Sequence, residues 1–352
     1  MPTLIGDTIA KIQPLDAMAM NAARARQDQL TKPQGALGRL ETLSIQLAGI
    51  TAQARPRFKQ PAIITMAGDH GIARQGVSAY PAEVTPQMVL NFLRGGAAIN
   101  VLAKHIGARV VVVDMGVASD LPAHPDLVNA KIANGTRDFS VGPAMTRDEA
   151  ERALQAGIEI AAREISRGAD ILGTGDMGIG NTTPSAAITA TITRRAVQEV
   201  TGRGTGVDDA GLKHKIEMIE RALDVNKPNW ADGLDVLSKM GGFEIGGLAG
   251  VMIGAAAQRV PVVIDGFISG AAALIASTIA PSVQPYLIAA HRSVEIGHRA
   301  ILDHLRVEPL LDLDLRLGEG TGAALGISLC IASAKILDEM ATFADAGVSE
   351  KQ

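Results

Sequence analysis

The chain has 352 residues, 47% hydrophobic but only 3% aromatic, so a sizeable core must be built from Ala, Leu, Ile, Val and Met. A net charge of −4 leaves no basic excess to grip a phosphate backbone, and so few aromatic rings offer no stacking platform, which argues against nucleic acid as a partner. The single cysteine, Cys330, excludes an intrachain disulfide framework and fits a reducing cytoplasm.

Residues 1–60 are polar and helical in pattern, with a helix predicted over 40–54 after the turn at Lys32-Pro33-Gln34-Gly35. No basic segment followed by an apolar run opens the chain, so no secretory leader is expected. Short, continuous apolar runs then recur at 62–67, 109–113, 170–172, 260–264 and 286–290, each ending in a polar or Gly-rich turn. Between them lie helical periodicities, among them 147–167 and 212–223, while the Gly-rich, charged stretch 201–209 reads as an exposed loop. Continuous apolar strands alternating with helices predict a mostly parallel, Rossmann-like α/β sheet buried on both faces. The organisation expected is a smaller helical lobe from residues 1–60, a large α/β domain over 61–330, and a C-terminal helix over 331–352 that returns to the small lobe and frays after Ala346.

One uncharged stretch, 266–290, is long enough to span a bilayer, but Pro281, Gln284 and Pro285 divide it. It reads as a buried helix followed by a buried strand, and no membrane partner is expected. Cys330 lies in the apolar run 327–332 and reads as a packing thiol.

In open parallel sheets ligands bind at the carboxyl ends of the strands. Asp69, His70, Asp114, Asp176, Asp265, His291 and Ser293 all follow predicted strands. Singly each is an ordinary cap or turn residue. Together they mark one edge of the sheet. The strongest local feature is 173–183, where a strand delivers a Gly-rich loop (Gly173, Gly175, Gly178, Gly180) to a helix start at Asn181-Thr182-Thr183-Pro184. Free N–H groups and the helix dipole there favour a phosphate. The loop matches G-x-G-x-x-G, but the candidate acid Glu199 sits in a helix, so a dinucleotide fold does not follow.

A second feature is Arg316-Leu317-Gly318-Glu319-Gly320-Thr321-Gly322, ahead of an Ala-rich helix. Its surroundings desolvate the Glu319 carboxylate and raise its pKa toward that of a usable general base. Read locally, it is equally a solvated turn glutamate. The seven histidines are scattered, with neither H-E-x-x-H nor a cysteine pair, so neither a metal nor a cofactor is expected.

Several segments recur in a fixed order: Gly68-Asp69-His70-Gly71-Ile72-Ala73, Gly76-Val77-Ser78-Ala79-Tyr80-Pro81, the 173–183 loop, Val263-Ile264-Asp265-Gly266-Phe267, His291-Arg292-Ser293-Val294-Glu295, and the Glu319 loop. Together they resemble the nicotinate-nucleotide–dimethylbenzimidazole phosphoribosyltransferases of cobalamin nucleotide-loop assembly, from Lys32 to about Ile336. The resemblance implies transfer of phosphoribose from nicotinate mononucleotide to 5,6-dimethylbenzimidazole, with Glu319 as the base, in a homodimer. It also implies nucleotide contacts from Gly175, Asp176, Gly178, Gly180, Asn181, Lys215, Asp265, Ser293 and Arg316, with Lys213 as the alternative lysine. Ser78, Tyr80, Gln87, Met177 and Leu317 are the candidates for a flat, apolar benzimidazole pocket. The family often carries a glutamate where this chain has Asp176, one methylene shorter, so Asp176 is read as a binding residue.

Two rival readings keep the Gly-rich loop: an α/β transferase or hydrolase using another acceptor, and a non-catalytic nucleotide sensor. Product analysis separates the first, and the sensor alone tolerates loss of Glu319.

Overall fold

The computed structural model describes residues 4–349. Six strands form one parallel sheet: β1 (Pro61–Gly68), β2 (Arg109–Gly116), β3 (Leu127–Asn129), β4 (Ile171–Met177), β5 (Val262–Ile264) and β6 (Leu287–Ala289), in the order β3-β2-β1-β4-β5-β6. Every residue of β1, β5 and β6 is buried, which is why these strands are apolar without alternation. The chain runs outward from β1 to β3, then returns to β4 beside β1 and continues the other way. The loops leaving β1 and β4 therefore part from each other and open a crevice at the carboxyl edge, the position where such sheets take ligands.

The mostly parallel α/β architecture expected from the sequence is present, with local differences. β3 has no strong apolar run, and only its pairing to β2 defines it. The expected strand at 286–290 shortens to β6 because Pro281–Tyr286 winds into a 3-10 turn. The helix expected over 40–54 ends earlier: it runs Arg39–Thr51, and Ala52 turns left-handed at φ 55°. The alternating segment ahead of Glu319 forms no strand. It runs beside the loop after β6 through one bridge, His291 to Leu311, and its exposed Asp314 takes φ 54°.

The helix Arg147–Ser166 starts in a reciprocal cap between Thr146 and Glu149. It packs on Phe243–Ala256, which is buried along its whole length. A Cβ at Gly157 would overlap the Gly247 carbonyl, so glycine is what lets these two helices touch by their backbones. Such close approach suits a core with few aromatic side chains.

Stretch 266–290 becomes the buried helix Phe267–Ile279, the 3-10 turn and β6. The helix Thr321–Glu339 is long and apolar enough to cross a membrane by length and composition, yet 61% of its apolar window is buried against the rest of the chain. Cys330 on that helix is fully buried, as read from the sequence, and burial pushes its thiol up to about 12. Helices Ala17–Gln29 and Arg39–Thr51 pack with Thr321–Glu339 around a small separate cluster of Ala19, Ala23, Ala48 and Leu337. Past Ala346 the chain turns at Gly347, and positions 350–352 lie outside the described residues.

Candidate active site

A cavity of about 450 Å3 opens at the carboxyl edge of the sheet. Of the residues singled out in the sequence, Tyr80, Asp176, Met177, Gly178, Asn181, His291, Ser293, Arg316, Leu317 and Glu319 line it. Gly175, Gly180, Lys215, Asp265 and Ser78 stand behind its walls. Gln87 does not reach it. The helix Val84–Leu93 turns Val84 and Met88, one helical turn apart, toward the cavity and leaves Gln87 exposed.

Glu319 is held from several sides. It has φ 64° and sits between Gly318 and Gly320, both also at positive φ, so the chain bends sharply around it. Its carbonyl accepts the Thr65 hydroxyl of β1 at 2.9 Å, and its N–H donates to the Asp176 carbonyl of β4 at 3.2 Å. A Cβ at Gly175 would overlap the Glu319 carbonyl, so glycine in β4 is what admits the loop. The residue is 5% exposed, and Oε2 accepts the Ile99 N–H at 3.2 Å, near the start of the helix Ala98–Ile106. Burial raises the carboxyl above its ordinary value, and the Ile99 N–H partly offsets this. The arrangement is that of a carboxylate able to take a proton from a bound molecule.

Asp265 follows β5 and is fully buried. Its carboxylate accepts the N–H groups of Gly320 at 3.2 Å and Ala323 at 2.9 Å, so it caps the helix that begins just after Glu319. Burial drives its pKa up to about 7 against the pull of these N–H groups, and the Glu319 charge pushes the same way. Asp176 is raised well above its ordinary value, first by burial and then by Asp265, with Glu244 and Glu319 adding to it. It accepts the Asn181 side-chain N–H at 2.8 Å, which pulls the other way.

Asn181 stands at the N-cap of the helix Thr182–Thr193, but its side chain makes no cap hydrogen bond. In the first turn the Thr183 N–H already donates to the Gly180 carbonyl at 3.0 Å and Pro184 has none, so the helix dipole and the Thr182 N–H are what this helix start offers an anion. Behind it, Lys215 is fully buried and donates to the Thr182 hydroxyl at 2.7 Å and the Gly202 carbonyl at 3.3 Å. Burial lowers its pKa to about 8, and Glu295 partly restores it. Lys213 is exposed and reaches only Glu217, so Lys215 is the lysine at this wall. Arg316 is exposed at the cavity.

The loop 201–209, expected to be exposed, is so only in part: Thr201, Gly202 and Val207 are buried, and Gly204 and Thr205 line the cavity. Thr182, read from the sequence as part of a helix start, lines the cavity, as does Glu295, to which no role was given, and the strand-end His70 proves to pair with Glu244, which the sequence did not mark, fully buried and 2.8 Å apart beneath Gly178. Burial works against a charged His70, but the Glu244 carboxylate and Asp69 raise its pKa overall. The available signal was Glu244 itself, the only charge in the apolar helix Phe243–Ala256. His298 donates nothing to Ser293; its Nδ1 accepts the Ser293 N–H at 2.9 Å, and burial beside His291 lowers its pKa to about 3. Among the described residues no group of His, Cys, Asp and Glu is placed to hold a metal ion.

Residues 12–348 match the family model described as phosphoribosyltransferase. The nicotinate-nucleotide–dimethylbenzimidazole phosphoribosyltransferase of Roseiflexus sp. (strain RS-1) is 69% identical over 99% of both chains, and that of Chloroflexus aggregans is 67% identical over 99% of both. A crystal structure of the enzyme of that name from Thermus thermophilus superposes with a TM-score of 0.91 at 47% identity, covering 96% of this chain and 100% of that one. The cavity at the β1–β4 crevice, the buried Glu319 beside it and these full-length likenesses agree: the chain belongs to the nicotinate-nucleotide–dimethylbenzimidazole phosphoribosyltransferase family.

Proposed function

We propose that this chain transfers the phosphoribosyl group of nicotinate mononucleotide to 5,6-dimethylbenzimidazole, giving nicotinate and α-ribazole 5′-phosphate for the lower ligand of cobalamin. The names of its relatives supply the two substrates. The observation that carries the reading is Glu319: a buried carboxylate with a raised pKa, fixed by β1 and β4 at the edge of the cavity.

The chemistry then follows from charge. The pyridinium of the nucleotide leaves with the C1′–N bonding pair and becomes neutral nicotinate nitrogen, so no metal or cofactor is needed. The unprotonated benzimidazole nitrogen attacks C1′ from the opposite face, turning a β-linkage into an α-linkage. Its other nitrogen gives its proton to Glu319. Holding the two reactants in line supplies much of the remaining acceleration.

In this reading the uncapped start of Thr182–Thr193, with Gly178, Gly180 and Asn181, takes the nucleotide phosphate and ribose, helped by Lys215, Ser293 and Arg316. Tyr80, Met177 and Leu317, with Val84 and Met88, take the flat base. Asp265 and Gly175 act through the Glu319 loop, and Asp176, whose carboxylate holds Asn181, binds at the nucleotide side. Residues 1–60 with the C-terminal helix form a smaller lobe: Ala19, Ala23, Ala48 and Leu337 make a cluster of their own, while Leu43, Leu47, Ile50 and Phe58 fasten the lobe to the main core. The lone, buried cysteine supports a cytoplasmic enzyme, and the family resemblance a homodimer.

The test is product analysis of the purified protein with both substrates. Equimolar nicotinate and a benzimidazole ribotide, with an α-anomeric proton by NMR, is the expected result. Nicotinate released with free ribose phosphate would replace this reading with a hydrolase.

A further inference from the structure

The segment 202–205 touches both ends of the site. At one end, the Gly202 carbonyl accepts Lys215 Nζ at 3.3 Å, and a Cβ at Gly202 would overlap the Glu295 carboxylate. The backbone at Gly204 lies so close to the same wall that a Cβ there would stand 2.6 Å from the Thr182 hydroxyl and 3.1 Å from Lys215 Nζ. At the other end, Thr205 Oγ1 accepts the Ala79 N–H at 3.0 Å and shares a hydrogen bond with Ser78 Oγ at 3.1 Å. Ser78 Oγ in turn accepts the Tyr80 N–H at 3.3 Å. Thr182, Gly204, Thr205 and Tyr80 all line the cavity. Gly204 and Gly206 flank Thr205 with φ of 53° and 109°, and the Arg203 side chain closes the turn on its own Val207 carbonyl and Asp209 carboxylate, so Thr205 is the side chain of the turn that reaches the 78–80 segment. Its hold on the 78–80 segment is one hydroxyl.

We propose that Thr205 is a positioning residue that couples the two halves of the site. Its hydroxyl ties the loop backing Lys215, on the nucleotide side, to the segment carrying Tyr80, on the benzimidazole side. This rests on the assignment of those two sides made above. A nucleotide that orders the Lys215 wall thereby orders the Tyr80 wall, and the base does the same in reverse, since coupling between two ligands is reciprocal.

The experiment is a matrix of initial rates over both substrate concentrations for the wild type, Thr205→Val and Thr205→Ser, with thermal midpoints recorded for each. In the wild type, saturation with one substrate should lower the KM of the other by about fivefold or more. Thr205→Val keeps the branched shape and removes the hydroxyl; it should cut that interdependence by about threefold or more, toward none, the worth of a hydrogen bond or so, with a midpoint within a few degrees of wild type. Thr205→Ser should retain it. Ser78→Ala, which leaves the Ala79 bond in place, should weaken it in the same direction and serves if the valine variant misfolds. Wild-type interdependence persisting in Thr205→Val and Ser78→Ala, serine behaving as valine, or no interdependence in the wild type overturns the proposal. A wild type that makes no ribotide at all overturns the functional reading and takes this proposal with it.

Discussion

The Glu319 carboxylate accepts the backbone N–H of Ile99 at 3.2 Å, joining residues 220 positions apart in the chain. Ile99 lies in the first turn of the helix Ala98–Ile106, where N–H groups have no intrahelical partner. One carboxylate oxygen is thus held by a fixed dipole, while burial raises the group's pKa. The base is both restrained and kept from the low pKa of a solvated glutamate, the balance a general base needs.

Glu319→Gln keeps the shape and the Ile99 bond but cannot take a proton. Its kcat should fall by about 100- to 10,000-fold, the usual worth of general base catalysis. Nucleotide binding, followed by calorimetry, should stay close to wild type. Turnover at the wild-type rate would remove Glu319 from the mechanism.

Gly175→Ala introduces a Cβ into the space of the Glu319 carbonyl. The loop must move to make room, and a displacement of about 1 Å at a catalytic group costs roughly 100-fold. The variant should fold, with the loss in kcat rather than in nucleotide KM. Steady-state kinetics beside circular dichroism decides this.

Lys215 bears directly on the pH profile. Its pKa of about 8 means the ammonium is lost as pH rises through that value. kcat/KM for the nucleotide should therefore decline on the alkaline side around pH 8, and Lys215→Met should flatten that limb. At neutral pH the same substitution should raise the nucleotide KM by about 10- to 100-fold, as for a charge-assisted hydrogen bond. An alkaline limb that survives in Lys215→Met belongs to another group.

Asp265 makes a prediction about stability. Its carboxyl titrates near 7 in the fold, above the 3.8 of an ordinary aspartate, so between these values the folded state binds more protons than the unfolded one. Stability contributed by this group should fall as pH rises from about 4 to about 7. Asp265→Asn should remove that slope in a urea titration series. It should also lower kcat, because asparagine keeps an acceptor for only one of the Gly320 and Ala323 N–H groups and turns an NH2 donor toward the other, which loosens the Glu319 loop.

Local chain chemistry determined much of this protein. Apolar runs without alternation required a sheet covered on both faces, and β1, β2 and β4 lie where those runs are. Glycines around Glu319 and in 173–183 marked the two loops where backbone must bend or approach closely, and both loops line the cavity. These features were legible because each is fixed by its immediate neighbours. Tertiary structure alone decided the rest. β3 exists only by pairing with β2, Ile99 meets Glu319 only because a distant helix starts beside it, and Glu244 finds His70 across the fold. Gln87 and Met88 differ by one step along a helix, yet only packing fixes which of them faces the cavity. The loop 201–209 is polar enough to be read as solvated, but Lys215 and Ser78 draw parts of it into the wall. Such contacts depend on which surfaces the folded sheet brings within hydrogen-bonding distance, and no pattern of nearby residues encodes that distance.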